Sequence, residues 1–110
     1  MSTTILEKTT QHFTDYLQQK GRKPSTIKRY MYDVEHFLSW LENTNRTIDE
    51  YIWESLNKED FKMFFHYLKE ERHYSDKTIH RIYIALNRLY ESLDLPSPIE
   101  SVIQIEQPDS

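Results

Sequence analysis

Apolar positions recur at three- and four-residue steps through much of this chain, most clearly between residues 26 and 43. There Ile27, Tyr30, Met31, Val34, Phe37, Leu38 and Leu41 form one continuous stripe, the signature of a helix with a buried face. The same spacing predicts a helix over about residues 4–20, burying Leu6, Phe13 and Leu17 with Tyr16 beside them. A third, over about 57–72, buries Phe61, Phe64, Phe65 and Leu68. A fourth, over about 76–94, buries Ile79, Ile82, Tyr83, Leu86, Leu89, Tyr90 and Leu93.

The residues between these stripes punctuate them. Gly21 supplies the expected stop after the first helix, because only glycine enters the left-handed region without cost. Ser25, in Arg22-Lys23-Pro24-Ser25, reads as the N-cap of the second helix. Asn43-Thr44-Asn45-Arg46 ends that helix, and residues 47–56 are ambiguous, with a short helical turn around Asp49–Trp53. Asn57 and Asp60 have the spacing of a capping box, Ser75 precedes the fourth helix, and Pro96 and Pro98 prevent its continuation. The prediction is an all-α, compact four-helix bundle over residues 1–95, with residues 96–110 as a linker tail.

Composition agrees with helix. The 110 residues hold one glycine and four prolines, too few turn formers for a sandwich or barrel. With no cysteine there is no disulfide, thiolate metal site or cysteine nucleophile, which fits a reducing cytoplasm. The first residues lack the basic and apolar regions of a signal peptide, and no apolar run reaches membrane-spanning length. A soluble, cytoplasmic domain is expected.

The net charge of −4 argues at first against a nucleic-acid partner, but its distribution alters that. Asp94, Glu100, Glu106 and Asp109 stand in residues 94–110 with no Lys or Arg, so residues 1–93 hold 14 acids against 14 bases. Within that neutral body Lys20, Arg22, Lys23, Lys28 and Arg29 cluster with no acid between Asp15 and Asp33. The stripe of the second helix leaves Ser25, Lys28, Arg29, Tyr32 and His36 on or beside its open face, and on the fourth Lys77, Arg81 and Arg88 share one face. Each helix thus carries cations and hydroxyls toward its N-terminal half, where backbone amides also favour phosphate. Two such helices side by side suit a duplex groove, with lysine and hydroxyls on phosphates and arginine on base edges. The competing interpretation is a solvated charged face.

Other chemistry is poorly represented. The histidines (12, 36, 66, 73 and 80) include no i, i+4 pair and no HExxH, so no metal or other cofactor is expected. Tyr30, Tyr83 and Tyr90 fall on core stripes, and no tyrosine sits with a convergent basic set. Phe61, Met63, Phe64 and Phe65 read as core, whereas an exposed Trp40 or Trp53 would mark a protein contact. No catalytic residue is assigned.

One run of residues resembles a known family. Tyr16-Leu17, Lys20-Gly21, Ser25-Thr26-Ile27, Tyr30, Asp33-Val34, Phe37 and Trp40-Leu41 resemble the opening of the core-binding domain of tyrosine recombinases, the integrase and Xer-type group. Asp60-Phe61, Phe65, Tyr67-Leu68, Tyr74-Ser75, Thr78-Ile79, Arg81, Ala85-Leu86, Leu89-Tyr90 and Leu93 continue the match, and Pro98 resembles the proline opening the family's linker. The resemblance spans about residues 10–100; only residues 44–56 fit it loosely. It implies a SAM-like bundle whose second and fourth helices face double-stranded DNA. By position, Lys23, Ser25, Thr26, Lys28 and Arg29 would serve one helix, and Lys77, Thr78, His80, Arg81 and Arg88 the other. It also implies a separate C-terminal catalytic domain, other recombinase protomers as partners on DNA, no arm-site domain before Met1, and a monomer when isolated. The acidic total implies that the catalytic half adds much of the affinity. The alternative is a helical protein-interaction module using exposed aromatics or the acidic tail.

Overall fold

Among the described residues of the computed structural model there are five helices: α1 (Ser2–Gln19), α2 (Pro24–Asn43), α3 (Ile52–Ser55), α4 (Lys58–Glu70) and α5 (Asp76–Ser92). The structure describes residues 2–44, 46 and 48–99, with nothing stated of the side chains of residues 2–4 and 6. The place expected for Leu6, and residues 100–110 of the linker expected over residues 96–110, lie outside the described residues. The four long helices are those the periodicity predicts, and α3 is the short turn expected near Trp53.

α5 is the central helix: α1, α2 and α4 all pack on it, and α1 also packs on α2. Phe37 of α2 forms the hub of the core, its ring 4.9 Å from both Phe61 and Phe64 and 5.9 Å from Trp53. Tyr83 stacks on Phe65 at 3.6 Å, joining α5 to α4. Ile99 is fully buried in the same core, so packing continues past α5 through the Pro96–Pro98 segment.

The helix ends explain the boundaries. After α1, Gly21 adopts φ +77°. The Arg22 amide donates to the Leu17 carbonyl and the Gly21 amide to the Gln18 carbonyl, both at 3.0 Å, a Schellman closure. α5 closes the same way, Leu95 to Tyr90 and Asp94 to Glu91, with Asp94 at φ 57°. The Asn57 side chain accepts from the Glu59 and Asp60 amides while Asp60 accepts from the Asn57 amide, so the capping box is formed.

Two expectations need correction, and one condition is not met. Ser25 is not the cap of α2: the helix begins at Pro24, Lys23 holds the N-cap position, and no side chain caps it. The pyrrolidine ring fixes a helical φ and forces Lys23 into extended backbone, which places the boundary two residues earlier than a serine signal does. Met63 is not core but 59% exposed, on the outer face of α4 opposite the buried Phe61, Phe64, Phe65 and Leu68. Trp53 is only 5% exposed, so it offers no surface to a partner. Its indole Nε1 donates to the buried Thr9 hydroxyl at 3.2 Å and its carbonyl accepts from Tyr90.

Candidate nucleic-acid interface

The residues expected to meet DNA lie on two helices that pack against each other. On α2, Lys23, Ser25, Lys28 and Arg29 are exposed, and Thr26 is half-buried above Ile27. On α5, Lys77 and His80 are exposed, Thr78 is half-buried, and Arg81 and Arg88 are partly covered. The apolar stripes dictate this division: once Ile27, Val34 and Phe37 face inward on α2, and Ile79, Ile82 and Leu86 on α5, the remaining positions face out.

The two N-termini differ. The first turn of α2 has no side-chain cap and no acid, so its amides remain open to an anion. α5 is capped: the Ser75 hydroxyl oxygen accepts from the Thr78 amide at 3.2 Å, and the Ser75 hydroxyl donates to Thr78 Oγ1. Asp76 adds an acid to its first turn, paired with Lys69 at 3.2 Å. Phosphate is therefore favoured more at the start of α2 than at the start of α5.

Two of the expected cations are already engaged. Arg88 donates to Glu91 at 2.9 Å, and the Tyr16 hydroxyl donates to the same carboxylate. Arg81 Nη2 lies 3.5 Å from Asp33 Oδ1, across the α2–α5 contact. Asp33 is 1% exposed, and among the described residues neither carboxylate oxygen accepts a hydrogen bond. Burial pushes the Asp33 carboxyl above its ordinary value, opposed first by Arg81 and then by Arg29, one turn earlier on α2. Lys23, Lys28, Arg29 and Lys77 make no ion pair among the described residues. Arg81 thus sits against the Asp33 carboxylate, with Arg29 one turn earlier on α2, while Arg88 stands two turns further along α5, roughly 10 Å away by helical rise.

Asp33 stands in the run that resembles the family, but no role beside Arg81 could be read for it from the sequence. It sits within the apolar stripe, three residues after Tyr30 and four before Phe37, and an acid at such a position must be buried. A second feature was also unannounced: a groove of about 430 Å³ lined by Tyr32, His36, Trp40, Tyr67 and Arg72, among others. The His36 ring meets Phe64 and Tyr74 edge-on, and burial, with Arg72 nearby, lowers its pKa. Among the described residues no group of His, Cys, Asp and Glu could hold a metal ion, and no helix is long and apolar enough to cross a membrane.

Comparison with known proteins fits this arrangement. Residues 10–94 match the family model described as phage integrase, N-terminal SAM-like domain. Among solved structures, the crystal structure of XerA recombinase superposes with a TM-score of 0.73 at 24% identity, covering 96% of this chain. The chain spans about a third of that protein, 33% of its length. A search of curated proteins gives no match. With four packed helices in the expected order and a family match over most of its length, the chain belongs to the phage integrase N-terminal SAM-like domain family.

Proposed function

We propose that this chain is the DNA-gripping module of a site-specific tyrosine recombinase, laying α2 and α5 against double-stranded DNA. Strand cleavage and joining belong, in this reading, to a separate catalytic domain, and the module itself is not an enzyme. The observation that supports it is the packing of α2 on α5, the two helices that carry the exposed cations Lys23, Lys28, Arg29 and Lys77 and the partly covered Arg81. Lys23, Lys28 and Lys77, with Ser25 and Thr26 at the open start of α2, suit phosphate oxygens. Thr78, His80, Arg29 and Arg81 stand where base edges would lie, and Arg88 reaches the duplex only by leaving Glu91. Other protomers join on the DNA, the free module is monomeric, and the work is done in the cytoplasm.

Titration of a fluorescent duplex across a salt series tests this. Binding is expected to weaken steeply with salt, each phosphate contact contributing about 0.9 to the log–log slope. Replacing Lys28 and Arg29 together by alanine is expected to lower both affinity and slope. Unchanged affinity and slope in that variant, or no salt-dependent binding by the wild type, would overturn the proposal.

A further inference from the structure

The buried carboxylate between the two helices has no stabilising rationale. Asp33 is taken almost fully out of water, yet neither oxygen accepts a hydrogen bond among the described residues, and its nearest cation stands at 3.5 Å. A strong charge-assisted bond is roughly 2.7–2.9 Å. A pair this long and this dry is typically no better for the fold than an apolar residue of similar size. The stripe around it, Tyr30, Val34 and Phe37, is where such a residue would fit.

Asp33 does constrain Arg81. Arg81 Nε is buried and without a hydrogen-bond partner among the described residues, and Nη2 is drawn to the carboxylate. The side chain is nevertheless 36% exposed, so part of it remains open to a ligand. Arg29, one turn before Asp33, feels the same charge from the α2 side.

We infer that Asp33 is a positioning residue: it holds the Arg81 guanidinium in one orientation against α2, so that Arg81 reads a base pair and does not merely attract phosphate. This rests on the DNA-binding reading above. An unheld arginine contributes charge to any duplex; an oriented fork discriminates among base edges.

Selection from a randomised duplex library with the full chain identifies a preferred sequence, and affinity is then measured for that duplex and a scrambled one. Asp33→Asn keeps the shape and removes the charge. It is expected to lower the preferred-to-scrambled ratio by about tenfold, the effect of one lost base-edge contact, while binding to the scrambled duplex changes less than about twofold. A purely structural role would weaken both duplexes equally and lower the thermal midpoint. Arg81→Lys keeps the cation without the planar fork and is expected to lose the same ratio; retention of the ratio overturns the proposal even if Asp33→Asn does not fold. Wild-type binding without any preference also overturns it and leaves DNA binding standing. Absence of salt-dependent binding overturns both.

Discussion

The Tyr90 hydroxyl donates to the carbonyl of Trp53 at 2.5 Å, in the interior of the domain and across 37 positions of sequence. This bond fastens α3 to α5, since Trp53 belongs to the short helix and Tyr90 to the central one. Burial, with Asp60 nearby, also raises the Tyr90 pKa, so the hydroxyl stays a donor at any working pH. Tyr90→Phe leaves the shape intact and the Trp53 carbonyl unsatisfied, and is expected to cost about 1–3 kcal/mol by urea denaturation. A loss below a few tenths of a kcal/mol would mean that water reaches the carbonyl.

Asp60 serves two partners. It accepts from the Asn57 amide at 2.9 Å and from Arg46 at 2.8 Å, tying the loop after α2 to the start of α4. Asn57→Ala is expected to cost about 1 kcal/mol, as for a lost helix cap. Asp60→Ala is expected to cost more, since it also frees Arg46. Because the two residues form one box, the double variant should lose less than the sum of the singles. Strict additivity would show that the cap and the ion pair act independently.

Gly21 and Asp94 occupy equivalent positions after α1 and α5, both at positive φ. Nothing lies within 4 Å of where a Gly21 Cβ would stand, so Gly21→Ala meets no clash and reports backbone conformation alone. The expected loss is about 1–2 kcal/mol. Asp94→Gly is expected to gain a smaller amount, partly offset by the greater freedom of the unfolded chain. Thermal unfolding of both variants checks the opposite signs.

Asp33 gives stability an unusual pH dependence. Its carboxyl is held above the ordinary 3.8 by burial, with Arg81 and then Arg29 opposing. A raised value means that the folded chain binds the proton more readily than the unfolded one, so ionisation subtracts from stability as pH rises through the folded value. Asp33→Asn escapes this cost. The variant is therefore expected to be at least as stable as wild type at neutral pH. Its advantage should close as pH falls through the raised value and vanish below 3.8. A gap that widens on acidification would contradict the sign.

Much of this architecture could be read along the chain, for identifiable reasons. The stripe from Ile27 to Leu41 reports a local period, and so does the Asn57–Asp60 box; neither depends on what lies across the core. Gly21 was legible because the left-handed turn demands that residue. Ser25 misled because two starting signals stood side by side, and the ring of Pro24 has the stronger geometric consequence. Met63 misled because its neighbours are buried, although i+2 of Phe61 falls on the opposite face of a helix. The partners of Asp33 and Trp53 were hidden altogether. Arg81 stands 48 positions after Asp33, and Thr9 44 before Trp53, so only packing could match them.

Direct packing of α2 on α5 also bears on thermodynamics and rate. If α2 and α5 meet DNA as proposed, the backbone entropy of that surface is already lost on folding, because both helices share one core, and not again at encounter. Association with a duplex then requires little rearrangement of the protein: its rate should follow diffusion and ionic strength. Its heat-capacity change should reflect only the surface covered, without the large term that accompanies folding on binding.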